Sequence, residues 1–129
     1  MAIFQDVNAQ AHACRAVDTA LALLGAANGV YPEGGEGPLS IQMGINSGVA
    51  FVGSTRFERL RGTRWTFTAS GHVTNLAARL AAAATPGQIL ASPETGRRIG
   101  DRYRLERLGR DRLKNLAEAV ELDQIHGAT

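Results

Sequence analysis

The sequence predicts an α+β or α/β sandwich, with helices packed on a mainly antiparallel sheet. Three observations predict it. Two stretches repeat apolar residues at helical spacing, and several short β-type runs sit between turns marked by Gly and Pro. The elements also alternate along the chain, in the order helix, strand pair, strand, helix, strand, helix, strand, strand. At 129 residues the chain fits one domain, residues 1–129, and no second of ordinary size. Folding a chain of this length removes roughly two thirds of its unfolded surface from water, enough for a core without covalent staples.

Asn8 to Ala27 reads as the first helix. Ala13, Val17, Ala20, Leu21 and Leu24 form its apolar stripe, Asn8 its N-cap and Asn28-Gly29 its stop. Cys14 is expected beside that stripe. As the single cysteine it excludes a disulfide framework or a multi-cysteine zinc site. Residues 29–38, with Gly29, Pro32, Gly34, Gly35, Gly37 and Pro38, form a loop matching neither phosphate-binding glycine motif. Leu39–Asn46 and Val49–Thr55 read as strands joined by Ser47-Gly48 as a tight hairpin turn. Alternation of Leu39, Ile41, Met43 and Ile45 buries one face of the first. Residues 56–64 read as a basic loop, and Trp65–Ala69 as a short strand.

Val73 to Ala84 reads as the second helix, with Val73, Leu76, Ala77, Leu80 and Ala84 as its core stripe and Thr85-Pro86-Gly87 as its end. Gln88–Ser92 is a strand. Ser92-Pro93 supplies an N-cap and first-turn residue for a short helix to Ile99. Tyr103–Leu108 and Val120–Ile125 are the last strands.

The net charge of +2 conceals an uneven distribution. Residues 1–55 carry −3, residues 56–114 carry +8 with twelve arginines, and the tail from Asn115 carries −3. An Arg-rich middle suits phosphate, because the guanidinium fork matches phosphate oxygens. From composition alone a solvated, salt-bridged surface is the simpler reading. The chain shows no helix-turn-helix, zinc-finger or aromatic-and-basic platform signature, so no nucleic-acid partner is expected. No apolar run approaches the ~18–20 residues that span a bilayer, and no signal-peptide pattern opens the chain. A soluble, cytoplasmic domain without a membrane partner is expected.

The second helix carries the candidate chemistry. Asn75 and Arg79, four residues apart, project from one face, with His72 on the same stripe. Leu76 and Leu80 turn to the side that packs. Asn and Arg presented together can stabilise charge developing on a phosphoryl group. By itself Asn-x-x-x-Arg also describes an ordinary helix surface.

Several motifs in order give that pair a context. They are Met43-Gly44-Ile45-Asn46-Ser47-Gly48, Phe67-Thr68-Ala69-Ser70-Gly71, Asn75-Leu76-Ala77-Ala78-Arg79-Leu80, Pro86-Gly87-Gln88-Ile89-Leu90-Ala91-Ser92-Pro93-Glu94-Thr95 and Leu113-Lys114-Asn115-Leu116. Together they resemble the catalytic domain of class III adenylate/guanylate cyclases. The resemblance implies a ferredoxin-like, nucleotide-cyclase-type sandwich. It also implies conversion of ATP to cyclic AMP and pyrophosphate by attack of the 3′-hydroxyl on the α-phosphate. Asn75 and Arg79 then take the places of the transition-state residues, and Thr68 that of the residue reading the purine edge. A hydroxyl both donates and accepts there, which leans towards ATP over GTP without deciding it. Lys114 falls where a lysine approaches the terminal phosphates, although Asn115 replaces the glycine that follows. His72 replaces a residue that is often Asp.

The family uses Mg²⁺ or Mn²⁺ held by two aspartates, hard cations on oxygen ligands. By the resemblance both aspartates, and a base-binding lysine, lie before a Met-Ala-Ile-Phe-like sequence, which here is Met1-Ala2-Ile3-Phe4. The chain is therefore expected to lack the N-terminal strand region and to hold no metal ligands. Asp6 follows the motif and is not taken as one. Two expectations follow: a homodimer, strand-exchanged assembly or cyclase-domain partner covering the exposed sheet, and inactivity of the chain alone. The other function considered is a non-catalytic nucleotide-binding or dimerisation module. Nucleic-acid binding through the Arg-rich middle ranks third.

Overall fold

The computed structural model describes residues 1–59, 62–111 and 120–128, with backbone alone for 51–59, 62–70, 110, 111 and 120. The elements run α1 (Ala9–Ala27), β1 (Met43–Ile45), β2 (Phe51–Arg59), β3 (Gly62–Ser70), α2 (His72–Ala83), β4 (Ile89–Ala91), α3 (Pro93–Ile99), β5 (Tyr103–Asp111) and β6 (Val120–Ala128). A short 3₁₀ turn, Gly100–Arg102, joins α3 to β5.

The helix boundaries follow local chemistry. Asn8 caps α1, its side chain accepting from the Gln10 and Ala11 N–H groups, both at 3.0 Å. Ser92 caps α3, accepting from the Thr95 N–H at 3.3 Å, with Pro93 opening the first turn. Glu94 in that turn pairs with Arg97 and Arg98, whose charges and hydrogen bonds hold its carboxyl below the usual range. No side chain caps α2, which starts after Gly71.

The sheet pairings depart from the sequence reading in two ways. First, β1 and β2 do not form the Ser47-Gly48 hairpin. Instead β1 pairs with β4 in parallel, Met43 opposite Ile89 and Ile45 opposite Ala91, while β2 pairs with β3. The expected first strand is also shorter, three residues against eight. Second, residues 56–64 are not a basic loop: β2 runs through Arg59 and β3 starts at Gly62, with residues 60 and 61 outside those described. The arginines at 56, 59 and 64 sit at backbone-paired strand positions, because the ladder bonds main-chain groups whatever the side chain carries. As expected, the four-stranded sheet, in order β1-β4-β6-β5, is mainly antiparallel; β1 meets β4 in parallel across the α2 crossover, which makes it mixed rather than purely antiparallel. Elsewhere the strands match, β5 and β6 extending three residues past the predicted ends.

Alternation along β4 divides the interior. Ile89 and Ala91 join Ala13, Val17, Ala20, Ile99 and Ile125 on the face covered by α1 and α3. Leu90 joins Leu80, Ala84 and Leu122 on the opposite face, beneath α2. Cys14 is buried in the first cluster, as expected. There the Tyr103 hydroxyl reaches the Asp18 carboxylate at 2.5 Å and the Cys14 carbonyl at 3.2 Å. Burial, then the Asp18 charge, pushes the phenol above its ordinary pKa.

One residue sets the distance between α2 and the sheet. A Cβ on Gly44 would lie 2.3 Å from the Ala81 nitrogen and 2.5 Å from the Ala77 carbonyl oxygen, both backbone atoms. Only glycine lets helix and strand approach this closely. Gly44→Ala is expected to destabilise the fold by about 3 kcal/mol, the upper end for overpacking, because backbone cannot rotate away. Chemical denaturation of both proteins measures it.

Candidate functional site

Asn75 and Arg79 lie on α2 one turn apart. Leu80 is fully buried and Leu76 packs beside it, which turns Asn75 outward and leaves Arg79 half-buried. The Asn75 N–H donates to the Gly71 carbonyl at 3.1 Å, placing this side chain at the end of the first turn. Among the described residues no hydrogen bond or ion pair engages the Arg79 guanidinium. The helix therefore orients both side chains from one face. His72, the first residue of α2, is exposed.

The other two predicted residues are not brought to them by described side chains. Thr68 belongs to β3, paired by backbone with Gly53, four residues ahead of α2 and joined to it through Ser70 and Gly71. Lys114 lies outside the described residues.

A hydrogen-bond network that the sequence reading did not anticipate holds the start of α2. The Asn46 amide donates from Nδ2 to the Val73 carbonyl at 3.1 Å, and its Oδ1 accepts from the Ser92 hydroxyl at 2.6 Å. The Ser47 and Thr95 hydroxyls are 2.8 Å apart in the same cluster. Asn46 thus ties α2, which has no cap of its own, to the capped end of α3. Ser92 as an N-cap was legible; its link to Asn46, 46 residues away, left no local signal.

The concave surface lies elsewhere. A groove of about 1030 Å³ runs along β1 between α1 and α2, lined by Ala16, Ala20, Ala77, Ala81 and Val73 among others, with residues 1–6 at one side. Neither Asn75 nor Arg79 lines it.

The described residues offer no set of cation ligands: no three His, Cys, Asp or Glu side chains converge among them. Asp6, at the groove, is engaged by Arg15 at 3.2 Å and by the Asn8 N–H at 3.1 Å. Asp123 on β6 is a buried carboxylate, 7% exposed and packed under α3, where a Cβ on Gly96 would lie 2.9 Å from its Oδ2. Burial raises its pKa above the ordinary 3.8, only partly opposed by Arg107.

A raised carboxyl pKa means that the folded state holds the proton more tightly than the unfolded one. This group's contribution to stability is full at low pH and falls as pH rises through the folded pKa. Asp123→Asn is expected to raise the melting temperature at pH 7, with the gain vanishing below pH 3.8, the ordinary value. Thermal unfolding of both proteins across that range checks it.

Comparisons with known proteins agree with this architecture. A family model described as the adenylate and guanylate cyclase catalytic domain matches residues 1–125. The adenylyl cyclase CyaB from P. aeruginosa is similar at 30% identity and a TM-score of 0.82, over 98% of this chain and 66% of that one. The guanylyl cyclase Cya2 gives 28% identity and a TM-score of 0.71, over 93% and 60%. The guanylate cyclase domain of RhGC from Catenaria anguillulae, solved in complex with GTP, shares the fold at 24% identity and a TM-score of 0.76, over 92% and 61%. The chain thus spans about three fifths to two thirds of these three structures. No curated protein sequence matches it significantly.

Proposed function

The chain belongs to the adenylate and guanylate cyclase catalytic-domain family, and on that premise we propose that it supplies the ribose- and phosphate-binding half of a nucleotidyl cyclase site. The observation that carries this reading is the pair on α2, Asn75 and Arg79, held one turn apart with the guanidinium unengaged among the described residues. In the proposed reaction the 3′-hydroxyl of ATP attacks the α-phosphate and pyrophosphate leaves. Arg79 places its fork on the α-phosphate oxygens as negative charge gathers there, a charge-assisted and bidentate contact. Asn75 orients the ribose. Thr68, through a hydroxyl that donates or accepts, reads the purine edge, and Lys114 meets the terminal phosphates. Mg²⁺ or Mn²⁺ would activate the hydroxyl and polarise the phosphate. Its carboxylate ligands come from a partner cyclase domain, so the chain alone forms no cyclic nucleotide.

A second reading keeps the nucleotide contacts of the α2 pair without the chemistry. In it the domain binds nucleotide, or only associates with another cyclase domain, and performs no chemistry of its own.

Titration of the purified chain with ATP tests the assignment. Arg79→Ala is expected to weaken ATP binding by about tenfold or more, the worth of one charge-assisted contact of roughly 1.5–3 kcal/mol. Circular dichroism should remain unchanged, because alanine keeps the helix. Equal affinity before and after the change contradicts the role given to Arg79.

A further inference from the structure

The segment around β1 meets α2 at three evenly spaced points. At the middle one Gly44 closes against the backbone of Ala77 and Ala81. On either side a side-chain amide reaches the same helix. Gln42 Nε2 donates to the Ala81 carbonyl at 3.1 Å, and Asn46 Nδ2 to the Val73 carbonyl at 3.1 Å. Residues 42, 44 and 46 share one face of an extended chain, and residues 73, 77 and 81 lie along one row of a helix. The spacings agree. Four extended residues span about 13 Å, and eight helical residues about 12 Å. Helix and strand therefore run antiparallel in register, with an amide at each end of the contact.

The two amides differ in how firmly they are held. Gln42 is exposed, so water competes for its bond. The Asn46 contact is part-buried, and the Asn46 Oδ1 accepts from the Ser92 hydroxyl at 2.6 Å. Ser92 is 2% exposed and is itself fixed as the N-cap of α3, its oxygen accepting from the Thr95 N–H. With both ends of the Asn46 amide engaged, its orientation is determined: turned over, it would set an oxygen against the Val73 carbonyl. α2 has no side-chain cap of its own, and this bond ties its first turn to the sheet.

We propose that Asn46 is a positioning residue: through the Val73 carbonyl it fixes the register of α2 along β1, and with it where Asn75 and Arg79 stand. The inference rests on the nucleotide-binding role proposed for that pair. Val73 precedes Asn75 by two residues and Arg79 by six within one continuous helix. Without the bond α2 can shift or turn over the sheet, and only the molecules still in register bind ATP as before. Apparent affinity falls in proportion to that fraction. The loss cannot exceed what the bond contributes to holding the register.

A mutant cycle on ATP binding tests this. Asn46→Ala is expected to weaken binding about fivefold, the order of one neutral hydrogen bond. Asn46→Ala/Arg79→Ala is expected to bind about as weakly as Arg79→Ala alone, because a displaced helix costs little once the guanidinium it carries is gone. Ile125→Val, in the core on the other face of the sheet, is expected to lower stability and leave ATP affinity unchanged. Should Asn46→Ala not fold, Ser92→Gly replaces it throughout, removing the hydroxyl that anchors Asn46 while glycine remains an acceptable N-cap. Unchanged affinity in the folded variant overturns the positioning role. So do losses at Asn46 and Arg79 that multiply, or a loss in Ile125→Val equal to that in Asn46→Ala. Unchanged affinity in Arg79→Ala overturns the functional reading first, and this inference with it.

Discussion

The contact between α2 and β1 at Gly44 is the constraint from which the rest of the structure follows. Two backbones meet there with no side chain between them. This closeness seals Leu80 against Leu90 and Leu122 and fixes the rotation of α2 about its axis. Once Leu76 and Leu80 point inward, residues 75 and 79 share a bearing about 100° round the helix, off the packed stripe. The same contact sets α2 over the sheet edge, making one wall of the groove. A second close contact reinforces it: a Cβ on Gly48 would lie 2.8 Å from the Val73 Cγ2, and Asn46 holds the Val73 carbonyl from the same loop. The motif from Met43 to Gly48 is thus the seat on which α2 rests.

That arrangement separates two roles within one helix. Its outward face presents Asn75 and Arg79; the face carrying Val73, Ala77 and Ala81 lines the groove. A convex pair of donors becomes a binding site when another surface closes over it. The reading of this chain as half of a composite site rests on the same geometry, since the groove along β1 lies on a different face of α2 from Asn75 and Arg79. Charge supports the direction of that reading: the segment from residue 56 to 114 carries +8 and contains Arg79. A polyphosphate would be attracted there.

Much of this was legible in the sequence where local chemistry decides. Asn8 and Ser92-Pro93 announced their helices, and the spacing of Leu76 and Leu80 announced which face of α2 packs. The pairing of strands was less legible because it is decided by distant partners. Val49–Thr55 has every mark of a hairpin partner for Met43–Ile45, yet in the structure those strands belong to different sheets. Nor does the alternation of Leu39, Ile41, Met43 and Ile45 mark where the strand begins; only Met43–Ile45 has a neighbour to bond with. The basic residues at 56–64 looked like a loop since charge density is a weak guide to backbone conformation. The shared face of Asn75 and Arg79 on α2 was readable from the helical period. The Asn46–Ser92 link was not, because its two ends are far apart in sequence.

The account's central claim is that this chain contributes the Asn75/Arg79 half of a shared cyclase site. The most direct measurement mixes it with a cyclase domain that keeps the metal-binding aspartates but has its own transition-state Asn and Arg replaced by Ala. Cyclic AMP formation is then followed with ATP and Mn²⁺. The account predicts that each protein is silent alone, that the mixture is active, and that Arg79→Ala lowers the mixed activity roughly 10²–10³-fold, as loss of one transition-state donor does. Activity of the mixture unchanged by Arg79→Ala, or no activity in any mixture with stable association demonstrated, would contradict it.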